Sequence, residues 1–450
     1  MPQPIDASRI SELEQVVADA LSAARERGAS QAEADASLQR GLTATVRLGE
    51  VDTIEYHRDR GLSLTVYFGK AKGSASTADL RSAAVRESVL KAVAIARHTA
   101  ADECAGLADP EALAREIPDL DLYHPWNLEP EEAVTMAREC ERAGLESDPR
   151  LTNSEGATVA THSGVRVYGN SNGFLHGFPS TSHSVSCALI AQQGEDMQRD
   201  HWYSVARRAQ ALQDAAAIGR QAAQRALRRL GARQPATQRA PVLFAAELAR
   251  GVFGHFAGAI RGASQYRRAS FLLEAAGTQV FPAFVDIAER PHLPQALASS
   301  PFDAEGVATR DRALVQGGVL QGYVLGSYSA RKLGLKSTGN AGGIHNLLVS
   351  DGGGAHSGSF EQLLQRMDRG LLVTELMGPG VNGVTGDYSR GASGFWVEHG
   401  AIAYAVHELT IAGNLREMLR HIVAVGTDVD IRGAIRTGSL LIESMTIAGE

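Results

Sequence analysis

"LTATVRLGEVDTIEYHRDRGLSLTVYFGKAKGSAST", Leu42 to Thr77, alternates apolar and polar side chains over most of its length. Successive side chains of a strand point to opposite faces, so the pattern reads as β-structure with one buried face. Turn signals at Gly49-Glu50 and at Asp59–Gly61 divide it into a meander. Upstream, "DASRISELEQVVADALSAARERG" sets Ile10, Leu13, Val16, Val17, Leu21 and Ala24 on one helical stripe and stops at Gly28. Downstream, Ala78 to Ala100 returns to the helical period. Helix, meander and helix make an α+β unit, assigned to residues 1–105.

The pattern recurs in a second α+β unit, residues 120–231. A helix over "EPEEAVTMARECERAGLES" has Pro130 in its first turn. A glycine-punctuated series of strands follows from Leu151 to Gln192, and a long helix is predicted from Val205 to Gly231. "GARQPATQRAP", Gly231 to Pro241, reads as a linker because it is polar, Pro-containing and aperiodic. The remainder, 241–450, holds short apolar strands between glycine-dense loops. It reads as a β-rich, sandwich- or barrel-like domain. The fold class is therefore α+β, an N-terminal half of repeated helix–meander–helix units followed by a β-rich half.

Composition narrows the function classes. The chain has 450 residues, 44% hydrophobic and 21% charged, which suits a soluble globular protein of two or three domains. A net charge of −7 gives no reason to bind nucleic acid or an anionic membrane. Three scattered cysteines make neither a disulfide framework nor a zinc ribbon. No apolar run is long enough to span a bilayer and the N-terminus does not read as a secretory signal, so cytoplasm is the expected location.

"VFGHFAGAI" lies where a metallopeptidase helix would carry its ligands. Two imidazoles one turn apart and a nearby carboxylate are needed. Here His255 has Gly251 and Ala259 at those spacings, and Glu247 is two turns back. Serine chemistry is weak as well. Ser171 in "GNSNG" lacks the strand-to-helix context of a nucleophile elbow, and Ser329 in "SARK" lacks companions at the usual separations. Two loops carry functional weight, "STGNAGGIHN" (Ser337 to Asn346) and "TGDYSRG" (Thr385 to Gly391). They combine permissive backbones with His345, Asn346, Asp387, Tyr388 and Arg390, a mixture that can present donors and acceptors to an extended peptide.

At "GHFAGAI", "PFDAEGV", "SYSARKLGLKSTGNAGGIHN", "VTELMGPGVNGVTGDYSRGASGFWVE" and "LTIAGNLREM" the chain resembles the TldD/PmbA family of metallopeptidases, in its PmbA (TldE) branch. The resemblance implies an α/β N-terminal half, a β-rich C-terminal half, and a cytoplasmic heterodimer with a TldD-type chain that cleaves peptides and unfolded polypeptides. In the TldD branch a helix carries HExxxH and a cysteine near the C-terminus completes the metal site. Against that pattern this chain has Gly254 for the first His, His255 for the Glu and Ala259 for the second His, and "IRTGSLLIESMTIAG" has no cysteine. The resemblance thus implies no metal bound by this chain, zinc in the partner, and a supporting role in cleft and interface. Small residues at 254, 257, 258 and 259 would then permit close packing against the partner. Two alternatives remain, a regulatory protein of the gyrase-modulator type acting without proteolysis, and a hydrolase using Ser171 or Ser329.

Overall fold

The computed structural model describes Ile5 and residues 8–449. The first run of elements is α1 (Arg9–Glu26), β1 (Gln31–Arg47), β2 (Glu50–Phe68), β3 (Ala71–Thr77) and α2 (Ser82–His98). The second is α3 (Pro130–Leu145), β4 (Leu151–Asn170), β5 (Leu175–Gln193), β6 (Asp196–Ala206) and α4 (Ala215–Leu227). Their strands join one sheet in the order β3-β2-β1-β4-β5-β6. β1 and β4 zip together antiparallel from Glu33–Asn170 to Val46–Ala157.

One face of that sheet is apolar and carries all four helices. Ala32, Ala34 and Ala36 of β1 pack with Leu13 and Val17 of α1 and Val89 and Val93 of α2. Further along the same strand, Leu42, Ala44 and Val46 pack with Ala137 of α3 and Ile218 and Ala222 of α4. α3 and α4 touch at Gly219, where an added Cβ would lie 1.8 Å from the Cys140 carbonyl oxygen. That contact accounts for the glycine.

Two expectations are corrected here. Asp59–Gly61 is not a turn; these residues run through the middle of β2, opposite Gln39, Leu38 and Ser37, and the chain reverses at Gly69-Lys70 instead. Gly61 keeps ordinary negative-φ backbone, so a residue that signals a turn is here a strand residue. The helix expected from Val205 to Gly231 is shorter, because its first residues complete β6 and a short 3-10 turn before Asp214 caps α4 through the Ala217 amide, 2.9 Å.

The C-terminal half continues with β7 (Gln238–Phe244), α5 (Ala246–Ala259), α6 (Gly262–Tyr266), β8 (Val285–Glu289), β9 (Arg312–Gln316), β10 (Val319–Leu320) and α7 (Ser327–Leu333). Then come β11 (Leu347–Asp351), β12 (Ser357–Gly358), α8 (Phe360–Met367), β13 (Gly370–Met377), β14 (Asp387–Glu398) and β15 (Ala401–Asn414). α9 (Leu415–Arg420), β16 (Ile422–Gly426), β17 (Ile435–Arg436) and β18 (Leu440–Ala448) complete the chain. β7, β13, β14, β15 and β18 pair in a ring that closes through β18–β7, a five-stranded barrel. A second sheet runs β10-β9-β8-β11-β17. α5 packs into the core they share, because Val252, Phe253, Phe256 and Ile260 recur at helical spacing and are all buried.

The two halves are riveted by charge and aromatic contacts. Arg432 lies over Trp202 and Tyr203 of β6, 4.2 and 4.4 Å from their ring centroids, and pairs with Asp430 at 2.9 Å. Arg225 of α4 bridges Asp200 at 3.2 Å and Glu247 of α5 at 2.8 Å. Among the described residues no helix is long and apolar enough to cross a membrane.

Candidate functional site

α5 sets the geometry of the site. Its inward face is fully committed to the core, and Ala257 and Ala259 are buried there with Phe256. Its outward face is almost bare. A Cβ at Gly251 or Gly258 would meet nothing within 4 Å, and one at Gly254 would only graze Ile435 at 4.0 Å. Of the four small residues expected to meet a partner, only Gly254 and Gly258 face outward; Ala257 and Ala259 are occupied inside this chain.

His255 sits at the border of these faces, half-buried, with the edge of its ring against Tyr388 of β14. The next inward-alternating position of β14 is Arg390. Burial lowers the His255 pKa and the Arg390 charge lowers it further. Burial raises the Tyr388 phenol to about 12, against the pull of the same guanidinium. Both rings are therefore neutral at pH 7 beside a fixed positive charge. Arg390 makes no ion pair among the described residues, and its buried Nε has no acceptor.

A divalent metal does not fit this donor set. One imidazole is available, Gly254 and Ala259 offer no lone pair, and a guanidinium beside the ring repels a second cation. Among the described residues, no three His, Cys, Asp or Glu side chains converge as a metal set anywhere in the chain.

The remaining loop residues divide between two other places. Asp387 serves its own loop, accepting from the Thr385 hydroxyl at 2.6 Å and from Asn414 Nδ2 at 3.4 Å. His345 and Asn346 are buried. The Asn346 amide donates to Ser299 Oγ at 2.7 Å and to the Arg290 carbonyl at 2.9 Å, and accepts from the Ala298 amide at 3.2 Å. His345 donates its backbone N–H to Glu289 at 2.7 Å. Glu289 also binds Arg312 at 2.7 Å and Asn340 at 2.8 Å, and the His345 side chain together with Arg312 holds its pKa low against burial. So the structure brings His255, Tyr388 and Arg390 together, while His345 and Asn346 hold the "STGNAGGIHN" loop from beneath.

That loop nevertheless lines a groove of about 310 Å³, walled by Asn340–Gly343 on one side and by Arg261, Tyr266 and Tyr328 on another. Two of its lining residues, Glu305 and Ala341, are held by Asp303, which accepts from the amides of Glu305, Val307 and Ala341 at 2.8, 2.9 and 2.8 Å. Burial raises Asp303 to about 6. Sequence reasoning singled out neither Arg261 nor Asp303, since no spacing connects them to the loop; the resemblance at "PFDAEGV" was the one available signal.

The two candidate serines each hydrogen-bond to backbone. Ser171 occupies the β4–β5 turn and accepts the Ala32 amide at 3.0 Å. Ser329 donates to the Gly326 carbonyl at 3.0 Å, and Lys332 pairs with Asp102 at 3.0 Å.

Family models cover nearly the whole chain. The PmbA/TldA metallopeptidase domain 1 matches residues 32–96, the central domain 123–230 and the C-terminal domain 237–449. The metalloprotease PmbA of Escherichia coli O157:H7 is 48% identical over 446 residues, 98% of each chain. The chain belongs to the PmbA/TldD family. A Bacteroides thetaiotaomicron protein described as a candidate modulator of DNA gyrase superposes with TM-score 0.91 at 26% identity, covering 98% of this chain and 99% of that one. TldE from Thermococcus kodakarensis has the same fold, TM-score 0.83 at 21% identity over 97% of this chain and 100% of its own.

Proposed function

We propose that this chain is the metal-free subunit of a cytoplasmic heterodimeric peptidase, paired with a TldD-type chain that binds zinc and cleaves peptides and unfolded polypeptides. The observation that carries this reading is the α5–β14 site, where His255 stands without a second donor and beside Arg390. One imidazole cannot hold zinc against water, so this chain makes no metal-bound hydroxide. Its contribution is to bind and to shape. Arg390, whose buried Nε lacks an acceptor, is positioned to bind a peptide carbonyl or carboxylate. Tyr388 and neutral His255 flank it. Gly254 and Gly258 leave room on α5 for a close approach by the partner.

The test is a peptidase assay on this chain alone, on the TldD-type chain alone, and on the two together. Activity that needs both chains and is lost on chelation supports the proposal. Activity of this chain alone that survives chelators and disappears with Ser171→Ala or Ser329→Ala would establish serine chemistry instead. A complex that forms but cleaves nothing would favour the regulatory reading that the gyrase-modulator description of the Bacteroides protein suggests.

A further inference from the structure

The groove beside the "STGNAGGIHN" loop is lined by one basic residue, Arg261, and one acidic residue, Glu305. Arg261 joins α5 to α6, and its backbone is fixed there by a bridge to Val324. Its side chain is exposed and lies over the loop, since a Cβ at Gly343 would fall 2.7 Å from its Nη2. Gly343 also has a φ of 134°, so backbone and close approach both call for glycine. Among the described residues the Arg261 guanidinium has no acceptor. The amide of Gly342, next along the same wall, has none either, whereas the Gly343 amide donates to the Asn340 carbonyl at 3.0 Å. Two donors without acceptors therefore stand together.

Glu305 supplies an acceptor. Its Oε2 takes the Ser327 amide at 2.8 Å, which leaves Oε1, beside Gly326, without a donor among the described residues. Guanidinium and carboxylate line one groove yet do not pair with each other, so each is available to a ligand. Tyr266 and Tyr328 meet edge to face at 5.8 Å on the groove wall. The Tyr328 hydroxyl is spent on Asp102 at 2.7 Å, so its ring is what the groove offers. Glu305 disfavours a bare dianion such as phosphate in the same space. The C-terminus of a peptide carries the matching set. Its carboxylate suits the guanidinium and the Gly342 amide, its last backbone N–H suits Glu305, and its side chain suits the tyrosines. The groove is open to the surface, so the preceding residues of such a peptide can run outward.

We infer that this groove captures the free C-terminus of a peptide, with Arg261 anchoring the carboxylate. The inference rests on the peptide-binding part of the proposed function, and its test uses this chain alone, without zinc or partner, so its failure is separable from a failure of cleavage. The full-length chain is titrated calorimetrically with a short N-acetylated peptide ending in leucine, once as the free acid and once as the C-terminal amide. The acid should bind about tenfold or more tightly than the amide, because charge-assisted hydrogen bonds are lost with the carboxylate. Arg261→Gln should bring the acid to the level of the amide and leave the amide unchanged, a pattern that general loss of structure does not produce. Arg261→Lys, which keeps the charge without the fork, should fall between. Arg268→Gln, from the exposed pair with Glu274, should match the parent. No binding of the acid, equal binding of acid and amide, or undiminished discrimination in Arg261→Gln would each overturn the inference. Discrimination lost in Arg390→Gln but kept in Arg261→Gln would move the carboxylate to the α5–β14 site. Free leucine or inorganic phosphate binding as tightly as the peptide acid would make this an amino-acid or bare-anion site instead.

Discussion

His255 meets Tyr388 edge to face, with 6.2 Å between ring centroids and 81° between their planes. The contact joins a helix to a barrel strand across 133 residues of sequence, and it places the imidazole within the field of Arg390. Each partner limits what the other can do. The phenol packs against the ring, and the guanidinium adds to the burial that keeps it neutral.

Arg390→Gln should therefore raise the His255 pKa. The charge is the second cause of its depression, after burial, and only the charge is removed. An NMR titration of the His255 ring reads this directly; an unchanged titration would show that burial alone sets it. The stability consequence has a definite sign. With its folded value below the ordinary value of about 6.5, the ring favours folding above that pH, and this contribution is lost as pH falls below it.

Glu289 is the keystone under the "STGNAGGIHN" loop, accepting from Arg312, Asn340 and the His345 backbone. Glu289→Ala leaves the Arg312 guanidinium without its carboxylate in a buried place. Breaking such a pair from one side costs about 3–5 kcal/mol. Denaturant unfolding should show a loss of that order, and a loss under about 1 kcal/mol would mean that Asn340 and the Tyr323 carbonyl suffice for Arg312.

Two glycines in helices predict opposite outcomes. Gly219→Ala forces a methyl against the Cys140 carbonyl and should destabilise by at least ~2 kcal/mol. Gly254→Ala meets open space and should stabilise by about 0.5–1 kcal/mol through helix propensity. Unfolding midpoints of the two variants compare them on one scale, and equal shifts would contradict this packing.

The sequence-to-structure comparison divides along the range of the interactions. Local periodicity located α1, α2 and α3, because each buries one stripe whose spacing is its own. Gly61 misled, since a glycine that could turn is instead held extended by pairing with Ser37. The union of two similar units into one sheet rests on β1–β4 pairs more than a hundred residues apart, which no window detects. At the site, His255 and the loop around Arg390 were legible as unusual residues. Their meeting was not, and Asn346, chosen for its chemistry, proved to be fully buried and internally satisfied.

Zinc content of the purified chain, measured after incubation with zinc and exhaustive dialysis, bears most directly on the account. The account predicts far less than one zinc per chain, unchanged in His255→Ala, with full occupancy appearing only when the TldD-type chain is present. One tightly held zinc per isolated chain, lost in His255→Ala, would contradict it.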